Sequence, residues 1–170
     1  MICSIRLVIA RLFGRPPDLS IAPPIWQDLL AGLRSRGRGR RESGAFLLGP
    51  AGPSRRITSI VFYDEIDPDA FDTGIIVIDG GSMGDLWRIC RERGEVVLAD
   101  VHTHPGGAGQ SKSDRLHPMI AETGHVALIV PRFAMEPVSL GEIGLYRYLG
   151  GFRWATRRPS LLHPTLSIRG

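Results

Sequence analysis

Two histidines separated by one residue are the side chains of this sequence best suited to chemistry. His102 and His104 flank a threonine, and Asp114 follows ten residues after the second histidine. Imidazole nitrogens and carboxylate oxygens are common zinc ligands, and a catalytic zinc uses three protein ligands with one position left open. The spacing therefore predicts a divalent metal site, with Glu42 upstream as the candidate general base.

A short apolar run leads into the histidine pair and must position it. Residues 96–101 lie between Glu95 and the glycine-rich stretch after Pro105, which is the pattern of a buried strand. Side chains two residues apart lie on the same side of a strand, so the two imidazoles can converge where the strand ends. Pro105 has no N–H for a sheet ladder, and the glycines within 106–109 allow a tight turn back towards Asp114.

Each part of this pattern also has an ordinary structural interpretation. A His-x-His pair alone is more often two unrelated polar residues than a metal site. Ser111 and Asp114 fit a helix start, with serine as the N-cap and aspartate near the positive end of the dipole. Glu42 could be a surface carboxylate that offsets neighbouring arginines. His117 is a rival ligand, ranked below Asp114 because it directly precedes Pro118. Together the parts favour the metal site.

The same residues resemble the signature of a known family, the JAMM metalloproteases, which are also called MPN-plus or JAB proteins. The resemblance covers roughly residues 23–156, and the spacer of five residues after the proline is shorter than is usual in the family. The residues that carry the resemblance are, in chain order, Glu42, His102, His104, Pro105, Ser111 and Asp114.

This resemblance implies a fold, a cofactor and a reaction. The implied fold is a cytidine-deaminase-like α/β (in broader terms α+β) architecture, a mixed central sheet flanked by helices. The implied cofactor is Zn²⁺, held by His102, His104 and Asp114, with Glu42 as general base and Ser111 as oxyanion stabiliser. The implied activity is that of an isopeptidase or peptidase that cleaves after the C-terminal tail of a ubiquitin-like modifier, in deconjugation or precursor processing.

The resemblance also implies partners. The compact form is similar to bacterial JAB peptidases of ubiquitin-like conjugation and antiphage operons. A ubiquitin-like protein and its conjugates are therefore the expected partners, together with activating and conjugating enzymes of such an operon. Two alternatives stay open: a metal-free MPN-type scaffold, which predicts missing ligands, and a RadC-like nucleic-acid-associated JAB protein, which predicts salt-dependent DNA binding.

The chain of 170 residues is read as one domain at 23–156, between an N-terminal segment at 1–22 and a C-terminal tail at 157–170. Helices are predicted from Pro23 to the Gly/Arg run at 36–41, from Met83 to Gly94, over one turn that carries Asp114, and from Pro118 to Gly124. Strands are predicted at Gly44–Leu48, Ile57–Tyr63, Ile75–Ile78, 96–101 and His125–Val130, and as a final hairpin at Ile143–Tyr148 and Gly151–Thr156.

Three further residues with reactive side chains have structural interpretations. Asp100 lies two residues before His102 and so on the same side of the strand. It is either a candidate to orient an imidazole or an unrelated polar residue. His125, at the start of a strand, is predicted to be structural. Cys90 is predicted to pack in the core, and Cys3 with Cys90 makes neither a disulfide framework nor a Cys-x-x-Cys motif.

The formal charge of +4 and the pI near 9.7 come in part from a run of arginines at 34–41. Such patches can bind nucleic acid, but this run alternates with glycine and serine and has no aromatic residues on which bases could stack. The ordinary interpretation of the run is a solvated loop, and the functional interpretation is a surface that attracts an acidic face of another protein. Nucleic acid is therefore not the expected partner.

No stretch reaches the roughly 18 uninterrupted apolar residues of a membrane span. The segment Met1–Phe13 is apolar but contains Arg6 and Arg11 and is followed by no cleavage site, so it is read as a strand or a docked segment. The predicted location is the cytoplasm, with no membrane partner.

Overall fold

The computed structural model describes residues 19–72, 76, 78–157 and 165–169. The strands in chain order are β1 (Leu19–Ile21), β2 (Gly44–Pro50), β3 (Arg56–Ile57), β4 (Ser59–Phe62), β5 (Glu95–Thr103), β6 (Val126–Val130), β7 (Gly144–Gly150), β8 (Arg153–Arg157) and β9 (Leu166–Ile168). The α-helices are α1 (Pro23–Gly37), α2 (Met83–Arg93) and α3 (Lys112–Leu116), and 3₁₀ turns occur at Tyr63–Glu65, Arg132–Ala134 and Leu140–Glu142.

A mixed six-stranded sheet forms the centre, with strand order β4-β2-β5-β6-β7-β8. Only β5 and β6 are parallel within it, and the other neighbours are antiparallel. A small parallel sheet, in the order β3-β1-β9, lies beside it. The predicted mixed sheet with a few helices is thereby confirmed. The domain boundaries at 23 and 156 stay a prediction, while strands on both sides of that range pair within the small sheet.

One face of the large sheet packs against α1. The helix begins at the predicted proline pair, where no backbone N–H is needed, and buries Trp26, Leu29 and Leu33. These side chains join a core that includes Val101 and Leu128 from the sheet. A helix with one apolar side gains most of its stability from such packing, so this face anchors β5 and β6.

The other face carries a second core, covered in part by α2. Its buried members include Phe46, Tyr63, Leu86 and Cys90, which confirms the prediction that the cysteine is a packing residue. The helix ends at Gly94, whose φ of 64° is the left-handed conformation that glycine adopts without steric cost.

A β-bulge decides which β5 side chains face which core. Leu47 pairs with Ala99 and Leu48 pairs with Val97, so Leu98 is an extra residue that changes the alternation. Beyond this point, Asp100 lies opposite Phe46, on the side of the second core.

The helix predicted from Pro118 to Gly124 is wrong, because these residues form bends and a turn. The N–H of Gly124, at φ 97°, donates to the Tyr148 carbonyl oxygen at 2.9 Å. This hydrogen bond ties the end of the segment to β7. A helix as short as the predicted one would also have little stability of its own.

Two further predictions fall wholly or partly outside the described residues. The segment Met1–Phe13 lies outside them, as does part of Ile75–Ile78; Ile76 and Ile78 are described and belong to no strand, contrary to prediction. The single strand predicted at Ile57–Tyr63 is instead two strands, β3 in the small sheet and β4 in the large one, because the chain changes sheets at Thr58. The remaining predicted helices and strands are confirmed with shifts of their ends. No helix among the described residues meets the length and hydropathy that a bilayer span requires.

Candidate metal centre

The two histidines converge where β5 ends. His102 is paired with Gly44 of β2 and Ile129 of β6, and the His104 N–H donates to the Val130 carbonyl oxygen at 2.9 Å. Both imidazoles are buried, and their Nε2 atoms are 3.1 Å apart. Each ring therefore directs one nitrogen towards the same small volume.

Asp114 reaches that volume from the first turn of α3. The Asp114 N–H donates to Ser111 Oγ at 3.1 Å, and the Ser111 N–H donates to Asp114 Oδ2 at 2.6 Å. This capping box is the ordinary helix start that the sequence allowed. It also fixes the carboxylate, whose Oδ1 lies 3.6 Å from His102 Nε2 and whose Oδ2 lies 3.3 Å from His104 Nε2. The structural and functional interpretations of Ser111 and Asp114 are compatible.

These three residues could bind a metal ion. Their ligand atoms all lie within 4.8 Å of one another. Zinc–nitrogen bonds of 2.0–2.1 Å at a tetrahedral angle place two ligand atoms roughly 3.3 Å apart, close to the distances given above. The donor set of two imidazoles and one carboxylate suits zinc and other borderline divalent metals. His117 lies outside this cluster.

A left-handed turn supports the loop that follows β5. Arg132, Phe133 and Ala134 have φ values of 54°, 52° and 55°, a conformation that is costly for residues with a side chain. The Phe133 N–H donates to the His104 carbonyl oxygen at 2.9 Å, and the Arg132 N–H donates to that of Gly106 at 3.0 Å. Nothing in the residue types signals this turn, so the sequence did not predict it.

Glu42 is half-buried beside the cluster, with Oε1 3.8 Å from His104 Nε2. The backbone that follows it is fixed to β5, because the Ser43 N–H donates to Thr103 Oγ1 at 3.0 Å and the Thr103 N–H donates to the Ser43 carbonyl oxygen at 2.9 Å. A side chain at Gly44 would collide with the Tyr63 ring, so this entry into β2 requires glycine. The backbone at the start of β2 thereby fixes where the glutamate side chain begins.

The charges of the cluster perturb one another. Burial raises the pKa of Glu42 above its ordinary value, against the opposing effect of the two histidines. The hydrogen bond to Asp114 raises the pKa of His104, against the effect of burial. Burial alone would raise the pKa of Asp114, but hydrogen bonds from both histidines and from Ser111 hold it far below the usual range. Asp114 is thus the anionic member of the cluster.

A cavity of about 250 Å³ opens beside the cluster. Glu42, His102, Ser111 and Asp114 form one side of it. The apolar residues that line the remainder are Ile76, Pro118, Met119, Ala127 and Trp154. These residues come from distant parts of the sequence, and no spacing in the sequence connects them.

Asp100 lines the same cavity and has an imidazole as its partner. Its Oδ1 lies 2.6 Å from His125 Nε2, with both side chains almost fully buried. Of the two interpretations left open for Asp100, it does contact an imidazole, but that of His125 and not one of the clustered histidines. His125 is structural, as expected, and holds the carboxylate in place.

Several arginine side chains of the run at 34–41 are hydrogen-bonded to other parts of the chain. Arg36 Nε donates to Asp64 at 2.7 Å, and its guanidinium lies 3.7 Å from the centroid of the Phe62 ring. Arg34 Nε donates to the Ala134 carbonyl oxygen at 2.7 Å. Arg41 donates to the carbonyl oxygens of Arg36 at 3.2 Å and Phe71 at 3.4 Å. These three arginines of the run therefore have structural roles within the chain.

Part of the chain is similar in sequence to a protein named as a probable metalloprotease. No protein-family model matches the chain. Over 63 residues it is 35% identical to the "Probable metalloprotease y4jG" of Sinorhizobium fredii, a stretch that covers 37% of this chain and 39% of that protein. The match thus spans well under half of the length of this curated relative.

Two solution structures share the fold. One, of a protein from Desulfitobacterium hafniense, has a TM-score of 0.59 and 16% identity, and the match covers 82% of this chain and 90% of that one. The other, of a protein from Salinibacter ruber, has a TM-score of 0.54 and 18% identity, with coverage of 86% and 92%. At these identities the likeness concerns the fold alone.

Proposed function

We propose that this protein is a JAMM-type zinc peptidase that cleaves after the C-terminal tail of a ubiquitin-like modifier, in a conjugate or in a precursor. The observation that carries the proposal is the convergence of His102, His104 and Asp114 beside Glu42 and an open cavity. The likeness to a protein named as a probable metalloprotease supports a peptidase.

The three clustered residues would hold the zinc ion. When bound, zinc would lower the pKa of a water molecule towards neutrality and polarise the substrate carbonyl. The capping box fixes the Asp114 carboxylate before any metal arrives, which reduces the reorganisation that binding requires.

Glu42 is the general base and then the general acid. Its pKa is raised chiefly by burial, and a raised pKa brings a carboxyl group nearer to the working pH of a proton carrier. It takes a proton from the attacking water molecule and returns it to the leaving amine.

Ser111 stabilises the developing oxyanion. Its Oγ accepts the Asp114 N–H, so its own hydroxyl hydrogen can be donated elsewhere. Because Ser111 also lines the cavity, that hydrogen can be donated to a substrate oxygen as charge develops on it.

An extended substrate tail suits the edge of the large sheet. The edge strand β8 carries Trp154, which lines the cavity. Extended peptides bind by adding a strand to such an edge, with backbone hydrogen bonds that do not depend on sequence. We place the protein with the activating and conjugating enzymes of a bacterial ubiquitin-like conjugation or antiphage system.

Elemental analysis and cleavage of a ubiquitin-like fusion protein test the proposal together. Wild-type protein should contain about one zinc per chain and release the fusion partner. Glu42→Ala should keep the fold and the zinc but lose cleavage, whereas Asp114→Ala should lose or weaken zinc binding. Asp28→Ala removes an exposed carboxylate on α1 and should change neither.

Two results would favour the other functions. A chain that binds no zinc at all would be a scaffold of the MPN type. Salt-dependent DNA binding that weakens as exposed arginines are removed would favour a nucleic-acid-associated protein. Either result, without cleavage, contradicts the peptidase.

A further inference from the structure

We propose that the cavity beside the metal cluster is a subsite for a substrate residue with an alkyl stem and a cationic end, lysine or arginine, whose charge is received by Asp100. The subsite would lie next to the bond that is cleaved. The proposal rests on the proposed function, which takes the metal cluster as the point of cleavage.

The size and walls of the cavity suit one long side chain. Its volume of about 250 Å³ is below the roughly 300–1,000 Å³ of typical small-molecule sites. The apolar side chains of Met119, Ala127 and Trp154 form much of its wall, where the methylene groups of a lysine or arginine can be buried while the charged end meets a polar group.

The charges that face the cavity favour a cation. Three carboxylates line it, those of Glu42, Asp100 and Asp114, and no lysine or arginine is among the described lining residues. A divalent ion bound to neutral histidines would be balanced by the two carboxylates of Glu42 and Asp114. Asp100, which is hydrogen-bonded to His125, would then be the remaining carboxylate of the cavity and could receive a positive group on the substrate.

Asp100 is held in place before a ligand arrives. It lies in β5 between Phe46 of β2 and Ala127 of β6, and is 2% exposed. His125 Nε2 lies 2.6 Å from one of its oxygens, Oδ1, and holds the carboxylate in position. A charge buried in these surroundings is screened less by solvent than one at the surface, so a cation that reaches this carboxylate from the cavity gains an interaction worth more than a surface ion pair.

Nuclear magnetic resonance titration tests the subsite directly. The ligands are the N-acetyl methylamides of lysine, norleucine and glutamate, which differ in charge at similar length. The reporter is the indole N–H of Trp154, assigned with Trp154→Phe, in zinc-loaded and metal-free protein. We expect lysine to bind about tenfold more tightly than norleucine, the effect of one charge-assisted hydrogen bond, and glutamate to bind most weakly.

Asp100→Asn keeps the size of the side chain and an oxygen that can accept from His125. It should reduce the preference for lysine to less than about twofold, by loss of the charge, in both the zinc-loaded and metal-free protein. Asp28→Asn makes the same change of charge on the exposed side of α1 and should leave the preference intact.

Equal binding of lysine and norleucine to the wild-type protein would overturn the subsite, whether or not any variant folds. A lysine preference that survives in Asp100→Asn would overturn it as well. Failure of the proposed function gives a different pattern: selective, Asp100-dependent lysine binding without zinc binding or hydrolysis. Conversely, Glu42-dependent hydrolysis with no preference for a charge would reject the subsite and retain the peptidase.

Discussion

The two faces of β5 serve opposite purposes. Ala99 and Val101 are fully buried in the apolar core under α1, whereas Asp100 and His102 are buried on the other face, where their partners are polar. Apolar packing alone accounts for the first face. The second face carries these polar groups beside the second apolar core, and polar groups are costly to bury without hydrogen-bond partners. From this difference we expect that stability and chemistry can be altered separately within the strand.

The largest expected effect is on the chemical face. Glu42→Gln removes a proton carrier but keeps the shape of the side chain, so cleavage should fall by roughly 10²–10⁴-fold. Zinc content and thermal unfolding should stay as in wild type, which would separate this residue from the metal ligands. Retention of more than about a tenth of the activity in a steady-state assay would remove Glu42 from the reaction.

The apolar face should respond in the opposite way. Leu128→Ala removes a fully buried side chain from the core under α1 and should lower the free energy of unfolding by about 2–5 kcal/mol. Folded protein should still bind zinc. His102→Ala, on the other face, should abolish zinc binding with a smaller effect on metal-free unfolding, measured in urea. If both variants reduce stability and zinc binding alike, the two faces are not independent.

A pH dependence should appear only on the polar face. The pKa of His104 is raised from its ordinary value of 6.5, and only the neutral ring can bind a metal. Zinc affinity should therefore fall as the pH is lowered, beginning above pH 6.5, by up to about tenfold per pH unit for each proton displaced. Competition with a chelator between pH 8 and 5.5 measures this, and a flat profile would exclude His104 as a ligand.

The smallest effect should come from two capping serines. Ser111→Ala removes the cap that fixes Asp114 and should weaken zinc binding, with about 1 kcal/mol of lost stability. Ser139 forms a capping box with Glu142 far from the cluster in sequence, and its hydroxyl also donates to the Glu142 carboxylate at 2.8 Å, so Ser139→Ala is the control for a lost cap that does not involve Asp114. Equal zinc affinity of the two variants would show that the Ser111 cap does not position the ligand.

The sequence predicted the parts of the site that depend on short spacings. His102 and His104 are two residues apart at a strand end, and Ser111 and Asp114 have capping spacing, so local periodicity was sufficient to place them. Cys90 and Gly94 followed from the pattern of one helix. In each case the neighbours in sequence are also the neighbours in space.

The parts that depend on long-range packing were not predictable. The bulge at Leu98 changes which β5 residues share a face, and no residue type marks it. The pairing of Asp100 with His125 requires β5 and β6 to lie side by side in register, and the left-handed turn at Arg132–Ala134 lacks glycine. The segment from Pro118 to Gly124 has helical signals, but the N–H of its last residue donates to Tyr148 of β7, a contact that no local pattern reveals.

The central claim is that His102, His104 and Asp114 hold one divalent metal ion. Anomalous diffraction from crystals grown with zinc, recorded on both sides of the zinc absorption edge, tests it most directly. The prediction is a single strong peak within bonding distance of both Nε2 atoms and the Asp114 carboxylate, absent in Asp114→Ala. A peak elsewhere in the molecule, or none at saturating zinc, would contradict the account.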